Sequence, residues 1–503
     1  MNKLAGDLKE AGRETETLNG QFAYNSTKSY VLDFFAKAGA IRAWDNDRVL
    51  NAFHKAFNEN ALLATKTLFY TRDVRGGLGE RNVFRTILHD MAVSNPDIVL
   101  KNLALIPEYG RYDDLYSLVD TPVEQAMWEF MQLTFKKDVE NMQAGKPITL
   151  LAKWIELPDR GTKAQRQLGS KTMNKLGYRN NRIEGIKLVV KMREYLSIPE
   201  RAIAAKAYDK IDYSTIPSMC MNKYRKAFIR NDGDRYNEFI ASVASGEAKI
   251  KTGAITPVDL VKATGFTLGR WICDPSIEAS AEEMAAIEAQ WKELPDYVGD
   301  ANAIVMADVS VSMGMNGADP LYTSLALAVY FAEHNSGPFA DMVMTFSSSP
   351  SLVNIQRKLS LKDKLIEVGR IEWRNSTNIE AALNTVLEKA IESHCSQDDM
   401  PKSIIIISDM QFGNAVYDRN GETISDAMKR RYAEHGYTLP RIVYWNVNAL
   451  ADNFQFNADD ANICEVSGKS ASTFQSVLNM VATTPYDSML EILNSARYEA
   501  VTV

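Results

Sequence analysis

The apolar residues of this chain change their pattern once along its length. From about residue 25 to residue 250 they recur at helical spacing, and from residue 300 they gather in short continuous runs separated by amphipathic stretches. In "DRVLNAFHKAFNENALLATKTLFYTRD", Val49, Leu50, Phe53, Ala56, Phe57, Leu62, Leu63 and Leu68 follow the period of a helix face. "RNVFRTILHDMAVSNPDIVLKNLALIPEYG" predicts one helix ended near Asn95 and Pro96, then a second ended near Pro107 and Gly110. "VEQAMWEFMQLTFKKDVENMQAG" predicts a long helix stopped by Gly145. "RIEGIKLVVKMREYL" and "PERAIAAKAY" follow, the second with Pro199 in its first turn. Helices joined by short Gly, Pro and Asn turns predict stacked hairpins of the HEAT type, although no repeat of fixed period is present.

Residues 276–297 predict an acidic, alanine-rich helix ended by Pro295. Beyond it, "AIVMADV", "ADMVMTF", "KSIIIIS" and "PRIVYWNV" predict strands. "PLYTSLALAVYFAEHNSG", "NIEAALNTVLEKAIESH" and "TISDAMKRRYAEHG" predict the helices between them, and "FQSVLNMVATT" and "SMLEILNSARYEA" close the chain. Continuous Ile and Val runs alternating with helices imply a parallel sheet covered on both faces, a doubly wound α/β domain whose ligands bind at the carboxyl edge of the strands. The expected organisation is a polar tail over 1–24, an all-α helical-repeat domain over 25–275, a connecting helix over 276–298 and an α/β domain over 299–503.

At 503 residues the chain is too long for one ordinary core. It has no stretch of 18 apolar residues, so no membrane span is expected, and its first residues lack an apolar signal core. Cys220, Cys273, Cys395 and Cys464 are far apart with no CxxC spacing. That argues against a zinc site or a disulfide framework and for reduced thiols in a cytoplasmic protein. The net charge of −7 is unevenly spread. Residues 1–300 carry 42 Lys and Arg against 40 Asp and Glu, and residues 301–503 carry 15 against 24. Within residues 151–250 the count is 20 basic against 11 acidic, which is either a polyanion-binding surface or helix faces solvated by cations.

Five oxygen-bearing side chains stand where a doubly wound sheet places its ligands: Asp308, Ser310 and Ser312 in "IVMADVSVSM", Thr377 in "RNSTNIEAAL", and Asp409 in "KSIIIISDMQF". Alternate side chains in an extended turn converge on one side. Carboxylates and hydroxyls without His or Cys suit a hard divalent cation, Mg²⁺ first, with Mn²⁺ and Ca²⁺ as alternatives. With only two carboxylates the site stays incompletely neutralised and leaves a position for an acidic group of a partner. Each fragment alone reads equally as a turn or a helix cap.

In this order, "DVSVSM", "STN" and "ISDMQF" resemble the metal-ion-dependent adhesion site of von Willebrand factor A domains. The resemblance implies that Ser310, Ser312 and Thr377 contact the ion or its waters, and that Asp308 and Asp409 bind it directly or through water. Val311 departs from the pattern, since many members carry Gly there. "LFYTRDVRGGLGERNVFRTIL", "IPEYGRYDDLYSL", "LAKWIELPD" and "IPSMCMNKYRKAF" are similar to TROVE-like proteins, relatives of the Ro ribonucleoprotein autoantigen. That resemblance, over roughly residues 28–500, implies a ring of HEAT-like repeats closed by a von Willebrand A domain, and RNA as the partner.

Two further segments carry candidate chemistry. "RDVRGGLGERNVFR" sets Gly76, Gly77 and Gly79 before a helix among Arg72, Arg75, Arg81 and Arg85. It lacks the Gly-Lys-Ser/Thr ending of a nucleotide loop, and reads either as a phosphate-holding helix start or as a tight helix connection. Lys153, Lys163, Arg166, Lys171, Lys175, Arg179 and Arg182 cluster beside Trp154 and Tyr178, and Lys223, Arg225, Lys226 and Arg230 follow. Such cations supply phosphate contacts and such aromatics stack on unpaired bases, unless the rings belong to the core. The histidines are dispersed, and the serines lack a nucleophile elbow and a base. The expected function is therefore non-enzymatic RNA binding with a divalent metal site. The alternative is a metal-dependent protein-interaction scaffold, and a metal-dependent phosphoryl-transfer enzyme is a third reading.

Overall fold

The computed structural model describes residues 12–268, 275–314, 319–345, 350–370, 378–413, 424–481 and 484–503. A helical region is followed by a six-stranded sheet, as the change in apolar pattern predicts. The chain enters through a small antiparallel hairpin, β1 (Glu14–Glu16) and β2 (Phe22–Tyr24). Helices α1 (Tyr30–Lys37), α2 (Asn46–Glu59), α3 (Ala61–Arg72) and α4 (Asn82–Ser94) follow. The long apolar-periodic segment breaks at Asn60, whose extended backbone ends α2 and whose side chain accepts from Leu63 N–H to start α3. Next come α5 (Glu124–Gln143), α6 (Lys163–Met173), α7 (Arg182–Tyr195) and α8 (Ser218–Ala244). Gly145, with φ near 68°, ends α5 as expected.

The acidic helix α9 (Ala281–Lys292) starts on a capping box between Ser280 and Glu283. Its Ile287 and Trp291 lie in the core beneath the sheet, while Ala286 and Ala289 lie in a separate core built on α8.

The sheet uses β3 (Ala303–Ala307), β4 (Met342–Thr345), β5 (Leu352–Asn354), β6 (Ser403–Ser408), β7 (Arg441–Asn446) and β8 (Ile463–Ser467) in the order β8-β7-β6-β3-β4-β5. All neighbours are parallel except β5, which runs antiparallel to β4. The chain starts at β3, builds outward to one side, then returns to β6 and builds to the other. The crevice between the carboxyl ends of β3 and β6 is therefore the topological switch point, where ligands of open α/β sheets sit.

Alternation along the strands divides the apolar side chains between two cores. Ala303, Val305, Ala307, Ile405, Ile407, Val443 and Trp445 face one core, together with the almost fully buried helix α10 (Asp319–His334) and with Leu361, Leu365 and Val368 of α11 (Leu361–Arg370). Ile304, Met306, Ile404, Ile406, Ile442 and Tyr444 face the other. On that second face lie α12 (Ile379–Glu392) and α13 (Ile424–Glu434), and the same apolar cluster continues without a break into α1–α5 and α7. Helix α14 (Pro485–Leu493) sends Met489 and Leu493 into this shared core. The helical region and the sheet thus have one interior in common across the boundary expected near residue 299.

Part of the tail expected over residues 1–24 is structure. Thr17 Oγ1 donates to the Phe412 carbonyl at 2.6 Å, Leu18 N–H donates to Gln411 Oε1 at 2.9 Å, and Gly20 pairs with Gly413. A hairpin that closes on a loop of the sheet has no apolar run of its own, so its sequence reads as polar tail.

Among the described residues no helix is long and apolar enough to cross a membrane. Cys220, Cys395 and Cys464 are free thiols, and Cys273 lies outside the described residues.

Candidate metal centre and basic surface

The two strands at the switch point set the geometry of the centre. Ala307 pairs with Ile407, and Asp308 N–H continues the ladder by donating to the Ile407 carbonyl at 3.0 Å. Asp308 and Asp409 therefore leave adjacent strands at the same edge, and both are buried. After Asp308 the chain turns into a short 3₁₀ segment over residues 311–314. Ser310 N–H donates to Asp308 Oδ1 at 2.8 Å, and the Ser310 and Ser312 hydroxyls lie 3.0 Å apart. Four of the five residues expected from the sequence thus converge. Thr377 lies outside the described residues.

Two participants escape a reading by spacing. Ser408, the last residue of β6, donates its hydroxyl to Asp308 Oδ2 at 2.5 Å and accepts from Met410 N–H at 3.1 Å. Gln411 donates its backbone N–H to Asp409 Oδ1 at 3.1 Å and its side-chain amide to the Asp409 carbonyl at 3.2 Å. Both flank Asp409 in "IISDMQF", so adjacency was their only signal.

Burial pushes the Asp308 carboxyl above the usual carboxylate range, against the hydrogen bonds from Ser408 and Ser310. Asp409 is pushed up to about 7, first by burial and then by the neighbouring Asp308 charge, while the Ser312 hydroxyl and Gln411 amide act in the opposite direction. Among the described residues, Asp409 Oδ2 is buried without a hydrogen-bond partner. A buried carboxylate oxygen left bare costs free energy that a cation would offset. The donor set is all oxygen, which fits a hard divalent ion. No group of three or more His, Cys, Asp or Glu side chains gathers anywhere among the described residues, so hydroxyls and water must complete any such coordination.

The basic surface survives only in part. Lys163, Lys175, Arg179 and Arg182 are exposed and pair with no carboxylate among the described residues. Lys175 donates to Gln125 and Arg182 to Asn174. Helix α7 adds exposed Lys187 and Lys191, one turn apart, which the sequence reading passes over. Lys171 instead sits 2.8 Å from Glu124 and 3.3 Å from Asp120, and Lys153 lies 3.5 Å from Glu200. Lys223 lies over the ring of Tyr224, and Lys226 is exposed with Glu283 at 3.6 Å.

Arg225 is not a surface contact. It is buried, donates to Asn222 Oδ1 at 2.6 Å and to the Ala263 carbonyl at 3.0 Å, and faces Glu283 at 3.9 Å. It lies on the core side of α8 near Met221 and Phe228, a placement that charge counting cannot distinguish from a solvated one. The aromatics are likewise engaged. The Arg111 guanidinium covers the Trp154 ring at 3.9 Å, and Tyr178 packs edge-on to Phe135.

Three kinds of comparison place the chain among known proteins. A curated relative from Acanthamoeba polyphaga mimivirus, the uncharacterized protein L728, is 27% identical over 516 residues, covering 95% of this chain and 86% of its own. The crystal structure of the Deinococcus radiodurans RO (RSR) protein aligns over 93% of this chain and 99% of its own, with a TM-score of 0.42 and 11% identity. Proximal thread matrix protein 1 from the mussel byssus aligns over 38% of this chain and 48% of its own, with a TM-score of 0.25 and 15% identity. A family model described as a domain of unknown function, DUF7788, matches residues 302–495, which hold the sheet and the carboxylate pair. A second, described as a domain of unknown function, DUF2828, matches residues 17–153 and 163–303, more than half of the sequence, and the chain belongs to that family.

Proposed function

We propose that this chain is a non-enzymatic RNA-binding protein whose sheet edge carries one divalent cation. The observation that carries the RNA reading is the exposed set Lys163, Lys175, Arg179, Arg182, Lys187 and Lys191, which pair with no carboxylate among the described residues, on a chain of net charge −7. An acidic protein that keeps such a basic face exposed has a surface suited to polyanions. The similarity of four N-terminal segments to TROVE-like proteins supports RNA, structured or single-stranded, as that polyanion.

For the metal we read a von Willebrand A-type adhesion site, Mg²⁺ being the first choice. Asp308, Asp409, Ser310 and Ser312 would hold the ion, with Thr377 assigned by motif alone. The bare Asp409 Oδ2 and the crowded carboxylates support this assignment. A bound ion would supply an open position for an acidic side chain of a partner. Asp308 and Asp409 would fix its depth at the switch point, and Ser408 would orient Asp308.

Fluorescence anisotropy with a labelled oligoribonucleotide tests the RNA reading. Affinity should fall with salt. The double variant Lys163→Glu/Arg179→Glu should reduce the slope of log affinity against log salt by about 1–2, near 0.7 per lost phosphate contact on a single strand. Binding that is tight and unchanged in the variant would overturn it.

A second reading, a metal-dependent protein scaffold without RNA binding, is favoured by the commitment of Arg225, Lys153 and Lys171 to intramolecular partners. It requires a protein partner that is lost in EDTA or on Asp308→Ala, with no RNA bound under any condition.

A further inference from the structure

The glycine-rich connection between α3 and α4 borders an open cavity of about 450 Å³ that the metal centre and the basic surface do not use. Its lining includes Arg42, Arg72, Arg81, Arg111, Glu80 and Asn82. The glycines bring backbone and guanidinium groups close together. A Cβ on Gly77 would stand 2.1 Å from the Tyr70 carbonyl oxygen, and one on Gly110 would stand 2.3 Å from Asp114 and 2.8 Å from Arg72. Gly79 takes a positive φ of 69°, which turns the chain into α4.

The charges around the cavity do not balance. Arg42 pairs with Glu80 at 2.8 Å, and Arg111 binds both oxygens of Asp113. Arg85 bridges Asp113 and Asp114. Arg81 is exposed and has no partner among the described residues. Five guanidinium groups thus meet three carboxylates.

Arg72 is the informative residue. It is only 2% exposed, and its Nε donates to Asp114 at 2.8 Å. Neither of its Nη nitrogens has a hydrogen-bond partner among the described residues, although the side chain lines the cavity. Burial lowers the basicity of Arg72, and the nearby Arg111 and Arg85 charges lower it further against the pull of Asp114. The Nη groups open on the cavity and present four N–H donors there, held in place by the Nε bond to Asp114, and an oxyanion is the group whose geometry answers them. Helix α4 also opens here. Arg81 at its N-cap makes no side-chain cap, its first turn has no acidic residue, and Asn82 lines the cavity.

We propose that this cavity is a phosphate-binding site. The Nη groups of Arg72, the walls of Arg42, Arg81 and Arg111, and the uncapped start of α4 hold one phosphate group, either free or carried by a nucleic acid. The site lacks the lysine and hydroxyl of a nucleotide loop, so it binds the anion without a metal. It does not depend on the basic surface of α6 and α7.

Isothermal titration of the full chain with inorganic phosphate, against chloride at matched ionic strength, tests it. One phosphate per chain should bind saturably. Arg81→Ala should weaken binding at least about 10-fold and Arg81→Glu further, in line with the loss of one charge-assisted contact. Arg81→Lys should retain most of the affinity. Because the Arg81 side chain has no partner among the described residues, these variants should keep the wild-type melting temperature in chloride. Lys163→Glu/Arg179→Glu should bind phosphate normally. Oligoribonucleotides with a 5′-phosphate and with a 5′-hydroxyl then separate the sources. Competition by the phosphorylated one alone assigns a terminal phosphate, competition by both assigns a backbone phosphate, and competition by neither leaves free phosphate as the ligand. No saturable phosphate binding by the wild type, or equal binding by Arg81→Glu, overturns the proposal. RNA binding that persists in that event leaves the RNA reading standing.

Discussion

At the scale of single residues, the centre at the switch point is a problem in electrostatics. Two carboxylates leave neighbouring strands into a buried crevice, and Asp409 is pushed up to about 7 from an ordinary 3.8. The folded, metal-free protein therefore binds a proton that the unfolded chain releases. Where the native state holds more protons, stability falls as pH rises. The loss runs from about pH 4 to about pH 7, and roughly 2–4 kcal/mol is the scale set by the shift. Unfolding in denaturant with EDTA should therefore show wild type losing stability relative to Asp409→Asn across that window, with Asp409→Asn the more stable at about pH 8. Added Mg²⁺ or Mn²⁺ should restore wild type and leave the variant unmoved. Parallel pH profiles for the two proteins would remove the electrostatic argument. Asp308, Ser310, Ser312 and Asp409 are legible in the sequence because each follows a strand whose apolar run is unmistakable. Ser408 and Gln411 are not, because their roles are hydrogen bonds to the ligands rather than positions in a pattern. Arg225 misleads because a helix of mixed composition does not announce which cation its core will take.

At the scale of elements, α3 explains why periodicity alone is a limited guide. From Leu63 to Arg72 every residue is buried, polar ones included. Thr65, Thr67 and Thr71 satisfy their hydroxyls on the carbonyls four residues earlier, at 2.7–2.8 Å. Lys66 reaches Asn494 at 3.1 Å, and Arg72 reaches Asp114. A helix enclosed on all sides has no polar face to mark its limits, so its start rests on Asn60. The side chain of Asn60 caps α3 while its backbone N–H closes α2 on the Ala56 carbonyl. Asn60→Ala should cost about 1 kcal/mol in denaturant unfolding, and Asn60→Asp should recover most of it. An unchanged midpoint for Asn60→Ala would mean that packing, not the cap, sets the junction. The strands divide in the same way. The four-isoleucine run of β6 is plain, whereas β8, "ICEVS", carries Glu465 inward and passes unnoticed. That carboxyl is pushed up to about 8 by burial, with Lys37 and Asn446 opposing the shift. The antiparallel edge strand β5 is three residues long, too short for a pattern to form.

At the scale of the molecule, the helical region and the sheet are joined at both ends of the chain, an arrangement that no local pattern can reveal. The entering hairpin closes on Gln411 and Phe412, two and three residues past Asp409. The departing segment returns to the helices, where Tyr498 stacks on Tyr109 and meets Tyr70 edge-on. Arg497 donates to both oxygens of Asp73 at 2.8 Å, and Tyr498 O–H donates to one of them at 3.1 Å. The side chain of Asp73 is fully buried, in the loop that leads to the arginine cavity. Burial alone would raise its pKa, but the Arg497 bonds and the Arg75 and Gly76 amides outweigh it and hold the carboxyl below the usual range. Arg497→Met would leave that charge enclosed with hydrogen bonds but no counter-ion. The expected cost is about 3–5 kcal/mol. The pH dependence separates a lost ion pair from lost packing. A depressed carboxyl contributes stability above its unfolded pKa and loses it as pH falls. The gap between wild type and Arg497→Met should therefore be widest near neutrality and narrow as Asp73 protonates below about pH 4. A gap that stays constant down to about pH 3 would assign the clamp to the tyrosine stack instead.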